Sequence, residues 1–398
     1  VVYIHQYFKT PEEGGAIRSY HISKGMVDRE IKIDMITSHN KRKYEKKIID
    51  GIHVHYLPVN YSNELSSARR YIAFFKFVLA AVKLAQKLQK PDLCFATSTP
   101  LTVGMIALWL KWTKQIPYIF EVRDLWPEAP IQLGIIKSAL IKHLSIKLEK
   151  VIYKNANRIV ALSPGIEKGI LNKCGKVKIS VIPNMADIDF FYENPPETPA
   201  SPPACRLGRA SGHNKGEFII GYFGAFGMAN NLENILDAAE ECQKANLPVS
   251  FKLIGDGARK SAIKLKAIQM NLDNIEILPH RNRFETRTLL EKVDACFTSF
   301  LTIPILETNS PNKFFDGLAA GKLSIVNTKG WLKELVEQNN CGFYTDPAKP
   351  EKFPLLIKPF IQDKKLLNSY QENALRLGKT KFSKKKLVHE VCDLVLNH

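Results

Sequence analysis

"FIIGYFGAFGMANN", Phe218 to Asn231, decides how this chain is organised. An apolar, β-branched run passes through Gly224 and Gly227 into a helical pattern over residues 231–245. That order opens a strand–turn–helix unit. Just before it stands "YENPPETPASPPACRLGRASGHNKGE", with five prolines between 195 and 203 and little apolar content. This composition reads as an exposed linker, so Phe218 begins a second domain.

Upstream, "VVYIHQYF", "KIDMITS", "IHVHYLPV", "DLCFATS", "PYIFEVRD", "RIVALS" and "ISVIPN" read as strands. Helical patterns over 18–29, 68–90, 102–114 and 137–155 lie among them. Downstream, "VSFKLIGDG", "IEILPH", "ACFTSF" and "LSIVN" alternate with helices over 258–270 and 284–292 and one opened by "SPNKFFDGLAAGK". Short apolar strands separated by helices of this length predict parallel sheets covered on both faces. The expected division is a first α/β domain over 1–192, a linker over 193–216, a second over 217–378 and a terminal helix over 379–398.

Composition narrows the function. The chain has 398 residues and a formal charge of +18, which calls for an anionic partner. No nucleic-acid module or RNP-like aromatic motif is present, so a membrane surface or a phosphorylated substrate is expected. The seven cysteines have no CxxC or zinc-ligand spacing and read as reduced thiols of a cytoplasmic protein. The first residues read as a strand, not a signal peptide, and no apolar run is long enough to span a bilayer. In the 68–90 helix, Phe74, Phe77, Val78, Ala81, Ala85 and Leu88 share a core face. Lys76, Lys83, Lys87 and Lys90 lie opposite, flanked by Ile72, Phe75 and Leu79. A solvated face explains the lysines alone; the flanking apolar residues favour an anionic membrane surface.

Ligands of parallel sheets sit at the carboxyl ends of the strands. "GYFGAFGMANN", "LIGDGARK" and "ETNSPNKFFDGLAAG" are three such loops of the second domain, and together they favour a nucleotide-phosphate site. In the last, the helix start offers free amides beside Lys313; the plainer alternative is that Ser310 or Asn312 caps the helix. In the first domain, "EEGGAIRSY" places Gly14, Gly15 and Arg18 after the first strand. "EVRDLWPE" gathers Glu121, Arg123, Asp124 and Glu128 around a strand end. Arg123 stays protonated and cannot act as a base, whereas Asp124 can accept or orient a proton. An Arg123–Asp124 structural pair is the alternative. His5 and His21 read as packing or capping residues.

The ordered set "YIHQYFKTPEEGGAIRSY", "EVRDLWPE", "ALSPGI", "VIPNMADIDFF", "LIGDGARK" and "SPNKFFDGLAAGK" resembles the retaining glycosyltransferases of family 4. It is most similar to bacterial transferases that add amino sugars such as N-acetyl-L-fucosamine to O-antigen and capsule. The resemblance implies the GT-B fold: two Rossmann-like parallel-sheet domains facing across a cleft, with the C-terminal helix crossing back to the first. It implies a UDP-sugar donor on the second domain and a lipid-linked glycan acceptor on the first. The enzyme would then work peripherally on the inner face of the bacterial cell membrane.

It also assigns residues. Asp316 takes the position of the family's second glutamate, expected on the donor ribose. The first position falls on Thr308, with Glu307 one residue earlier. The Arg and Lys that neutralise the diphosphate in many members are absent from "FGAFGMANN". That charge passes to Lys313, with Arg259 or Lys260, and the donor set is completed by Arg281, Ser310, Asn312, Gly224, Gly227, Gly14, Gly15 and Arg18. Catalysis is assigned to Asp124, Arg123 and Glu121. Without a D-x-D pair, no metal and no other cofactor is expected. A GT-B UDP-sugar 2-epimerase and a non-enzymatic glycan-binding subunit at the membrane are the alternatives. An NAD(P) oxidoreductase is disfavoured because no G-x-G-x-x-G follows the first strand of either half.

Overall fold

Strand β1 (Val2–Ile4) is short, fully buried and central. It pairs in parallel with β2 (Asp34–His39) on one side and β5 (Cys94–Thr97) on the other, Val2 standing opposite both Asp34 and Cys94. The sheet is completed by β3 (Glu45–Ile49), β4 (Ile52–Pro58), β6 (Tyr118–Val122), β7 (Arg158–Ala161) and β8 (Ile179–Val181). The order is β3-β4-β2-β1-β5-β6-β7-β8, and only the β3–β4 pair is antiparallel. Every residue of β5 and β6 is buried, as expected of strands with helices on both faces. The computed structural model describes all residues except Ala16, residues 62–64 and residues 194–215. Most of the expected linker therefore lies outside the described residues.

The second sheet contains β9 (Phe218–Phe223), β10 (Val249–Ile254), β11 (Ile275–Leu278), β12 (Ala295–Thr298), β13 (Leu323–Val326) and β14 (Gly342–Tyr344). All of its pairs are parallel, in the order β11-β10-β9-β12-β13-β14. This is a Rossmann order, with its switch point between β9 and β12. Glycine is demanded where the loops after β9 and β10 touch. A Cβ on Gly255 would lie 1.8 Å from the Gly224 carbonyl oxygen, and Gly255 has φ +157.

Two units result. One comprises Val1–Pro183, Thr308–Ser310 and Lys385–His398; the other comprises Asn184–Glu307 and Pro311–Lys384. The first crossing thus follows Pro183, ahead of the boundary expected at 192. The terminal helix, Lys384–Leu396, packs in the first unit. There a Gly25 Cβ would meet Val388, and Arg29 pairs with Asp393 at 2.8 Å.

Helix Ser67–Lys87 buries Phe74, Phe77, Val78, Ala81 and Ala85 and leaves Lys76, Lys83 and Lys87 exposed. It stops before Lys90, which corrects the expectation that Lys90 belongs to the lysine stripe. Leu88 is already extended, and Lys90 precedes Pro91, whose ring disfavours a helical predecessor. Among the described residues no helix is long and apolar enough to cross a membrane.

Candidate functional site

In the second unit the switch point brings together Lys313, Gly224 and Asn230. Lys313 is the second residue of helix Asn312–Ala319. Its Nζ donates to Tyr222 Oη and Asn230 Oδ1, each at 2.9 Å, and lies 4.3 Å from the centre of the Tyr222 ring. Tyr222 ends its own chain of contacts by donating to the Ala225 carbonyl at 2.7 Å. A Cβ on Gly224 would come 3.2 Å from Lys313 Nζ, so the glycine leaves the ammonium room beneath the loop. Among the described residues no carboxylate pairs with Lys313. Burial lowers its pKa to about 7.

The start of the same helix lies beside this ammonium. Pro311 occupies the N-cap position and offers no side chain to cap the helix. The positive end of the helix dipole lies at this start. One turn on, Asp316 lies on the same side of the helix as Lys313. Its carboxyl is pushed up to about 7 by burial and Asp187, with Arg283 opposing.

Of the other expected donor residues, Gly227, Arg259 and Lys260 border the Gly224 loop, the Arg259 amide donating to the Phe226 carbonyl at 2.9 Å. Arg259 pairs with Glu233 in the first turn of helix Glu233–Lys244. Lys260 donates to the Gly255 carbonyl at 3.1 Å. Arg281 pairs with Glu285 at 3.2 Å. Gly227 precedes Asn230, whose Nδ2 would lie 3.3 Å from a Cβ there. Glu307 remains in the second unit, its carbonyl 2.9 Å from where a Gly330 Cβ would lie. Thr308 and Ser310 group with the first, where the Thr308 carbonyl accepts from Ser163 Oγ at 2.5 Å.

The first unit overturns two assignments. Arg18 is 2 % exposed and its donors are committed inside the fold. Nε donates to Glu121 at 2.8 Å, Nη1 to the Pro183 carbonyl at 2.5 Å and Nη2 to that of Ile182 at 3.0 Å. Arg18 therefore does not present a phosphate-facing guanidinium. Glu121 is 0 % exposed and also accepts from Thr97 Oγ1 at 3.1 Å. It is a structural partner and not a catalytic acid. The pair ties the start of helix Arg18–Val27 to β6 and to the chain leaving β8. Gly14 and Gly15 form the turn ahead of it, with φ +69 and +83.

Arg123 and Asp124 follow β6 and are partly exposed. The Arg123 amide donates to Ser98 Oγ at 3.1 Å. No ion pair closes Arg123 onto Asp124 among the described residues, so the structural-pair reading fails. Burial pushes the Asp124 carboxyl up, opposed by Arg123. Beside them His5 shares a 2.6 Å contact between Nδ1 and Ser19 Oγ. Burial, aided by the Arg123 charge, lowers its pKa well below the usual value. The fully buried Gln6 amide has no hydrogen-bond partner among the described residues. The sequence reading missed Gln6, Tyr222 and Asn230; "VVYIHQYF" offered only the signal that polar residues end a central strand.

Comparison with known proteins identifies the family and the fold. Residues 13–185 match the glycosyl transferase 4-like domain family, and residues 207–376 match glycosyl transferases group 1. "Probable glycosyltransferase WbjE" of Pseudomonas aeruginosa is 24% identical over 306 residues, covering 75% of this chain and 73% of that one. Alr3699/HepE of Anabaena, solved in complex with UDP-glucose, superposes with a TM-score of 0.69 at 16% identity, covering 100% and 99% of the two chains. WaaG, a glycosyltransferase involved in lipopolysaccharide biosynthesis, gives 0.68 at 12% identity, covering 99% and 98%. With both domain families matched in order on two Rossmann-like units, the chain belongs to the family 4 glycosyltransferases of the GT-B fold.

Proposed function

We propose that this glycosyltransferase is a retaining enzyme that moves an N-acetylated amino sugar from a UDP-linked donor to a lipid-linked glycan. The observation that carries the donor reading is Lys313: a part-buried ammonium with no carboxylate partner among the described residues, beside a helix start and a glycine loop. A cation so placed is compensated by an anion, and a diphosphate satisfies the ammonium and amides together. Asp316, one turn on, accepts from the ribose hydroxyls. UDP-glucose bound by HepE supports a UDP-sugar; the amino sugar rests on the family resemblance. In transfer, the bond from the sugar's C1 to the β-phosphate oxygen breaks, UDP leaves, and the acceptor oxygen bonds to C1. Asp124 orients the acceptor hydroxyl and takes its proton.

Calorimetry with UDP, uridine, GDP and ADP tests the donor. Tight binding of UDP alone supports the reading, and preference for another diphosphate replaces uracil as the base. The pH dependence follows from Lys313. Diphosphate binding raises its pKa above the free value of about 7, so affinity is greatest below pH 7 and is lost as pH rises through 7. The diphosphate's own ionisation acts in the opposite sense at lower pH. Lys313→Arg, charged throughout, is therefore the reference: the wild type should lose UDP affinity relative to it between pH 6 and 8. Parallel curves would contradict the assignment.

The membrane reading rests on helix Ser67–Lys87. Lys76, Lys83 and Lys87 lie within about 40° of one another in projection, beside the solvent-facing Ile72, Phe75 and Leu79. Each lysine is worth about 1 kcal/mol near an anionic surface. Changing all three to Glu should abolish sedimentation with anionic liposomes and spare UDP binding. High salt should mimic the change. Wild-type sedimentation of the triple variant would mark a solvated face.

A further inference from the structure

The first unit holds a cavity at the carboxyl end of its sheet that none of these roles uses. It is a hollow of about 100 Å³, partly open to solvent. Tyr7 reaches it from beyond β1 and Trp126 from beyond β6; Tyr71 and Phe74 come from helix Ser67–Lys87. Arg70 is the one charged residue of the lining, and no carboxylate pairs with it among the described residues. Ile135 stands at the rim, 42 % exposed.

A lone guanidinium in an aromatic wall matches an amphiphile. The guanidinium can hold a phosphate through two parallel hydrogen bonds, and the rings can cover hydrocarbon. Free phosphate would use only the arginine, and a bare hydrocarbon only the wall. The surroundings point to a lipid as the source. The helix that supplies Arg70, Tyr71 and Phe74 turns Ile72, Phe75 and Leu79 outward, while Leu140 and Leu144 are exposed on the helix that follows Ile135. Apolar side chains are thus exposed on the cavity's own helix and on the helix that follows Ile135.

We propose that this cavity takes a phosphate esterified to a hydrocarbon chain, with Arg70 holding the phosphate and the wall of Tyr7, Tyr71, Phe74 and Trp126 covering the first carbons. The proposal rests on the lipid-linked acceptor reading and names the part of the acceptor that is bound. Calorimetry of the full chain with farnesyl phosphate, farnesol and inorganic phosphate tests it. Farnesyl phosphate should bind about tenfold or more tighter than either of the others. Arg70→Leu should weaken it by about 10- to 100-fold, the loss of a charge-assisted contact. Ile135→Glu, at a half-exposed position that tolerates a charge, should also weaken it by placing a carboxylate at the rim. UDP affinity should be unchanged in both variants, so a fold or donor-site defect is read separately. Farnesyl phosphate binding that neither change alters, or inorganic phosphate binding as tightly, overturns the proposal. Equal transfer to a lipid-free and a lipid-linked glycan would instead defeat the acceptor reading while leaving farnesyl phosphate bound.

Discussion

Lys313→Met is expected to weaken UDP binding by about 1.5–3 kcal/mol, the range for a lost hydrogen bond to a charged group, and to leave uridine binding unchanged. The distinction follows from position. Lys313 Nζ lies beneath the Gly224 loop, between the Tyr222 ring and the Phe300 ring, whose centre is 4.9 Å away. Nothing in that setting reads a base; what it lacks is an anion. Methionine fills the space between the rings and removes a part-buried charge, so thermal stability should hold or rise. Calorimetry with both ligands checks the expectation. Equal losses for UDP and uridine would make Lys313 a packing residue.

Asp124→Asn should lower turnover by about 100-fold or more while UDP affinity stays at the wild-type value, because the proposed donor site lies in the other unit. Asp124 is partly enclosed at the carboxyl end of β6. Burial raises its proton affinity, while Arg123 keeps the anion from becoming too costly. A carboxyl held in that balance can take the proton an acceptor hydroxyl gives up. Asparagine keeps the shape and loses the base. The remaining activity should also lose its acid limb in a pH–rate profile. Wild-type turnover in this variant would remove Asp124 from the chemistry.

Much of the fold was legible because the central strands of both sheets are continuous apolar runs, and the helices between them carry a clear core face. Strand β3 was missed because its residues are largely exposed and charged, although the Asp50–Gly51 turn that starts β4 carries a hairpin signal, with φ +49 and +83. Helix Pro164–Cys174 was missed despite Ser163, whose side chain accepts from the Ile166 amide, and Pro164 in its first turn. Within the site, Lys313 and the helix start could be read locally. The partners of Lys313 could not: Tyr222 lies 91 residues away. Arg18 looked available for phosphate because its partner, Glu121, is 103 residues on. A charged residue in a glycine-rich loop has the same sequence signature whether it faces a ligand or an ion-pair partner.

The central claim is the place of the donor diphosphate, and a crystal structure with a bound UDP-sugar tests it most directly. The diphosphate should lie at the β9/β12 switch point of the second unit, within hydrogen-bond reach of Lys313 Nζ and the first amides of helix Asn312–Ala319, with the ribose hydroxyls on Asp316. A nucleotide bound elsewhere, with Lys313 still held only by Tyr222 and Asn230, would contradict the account.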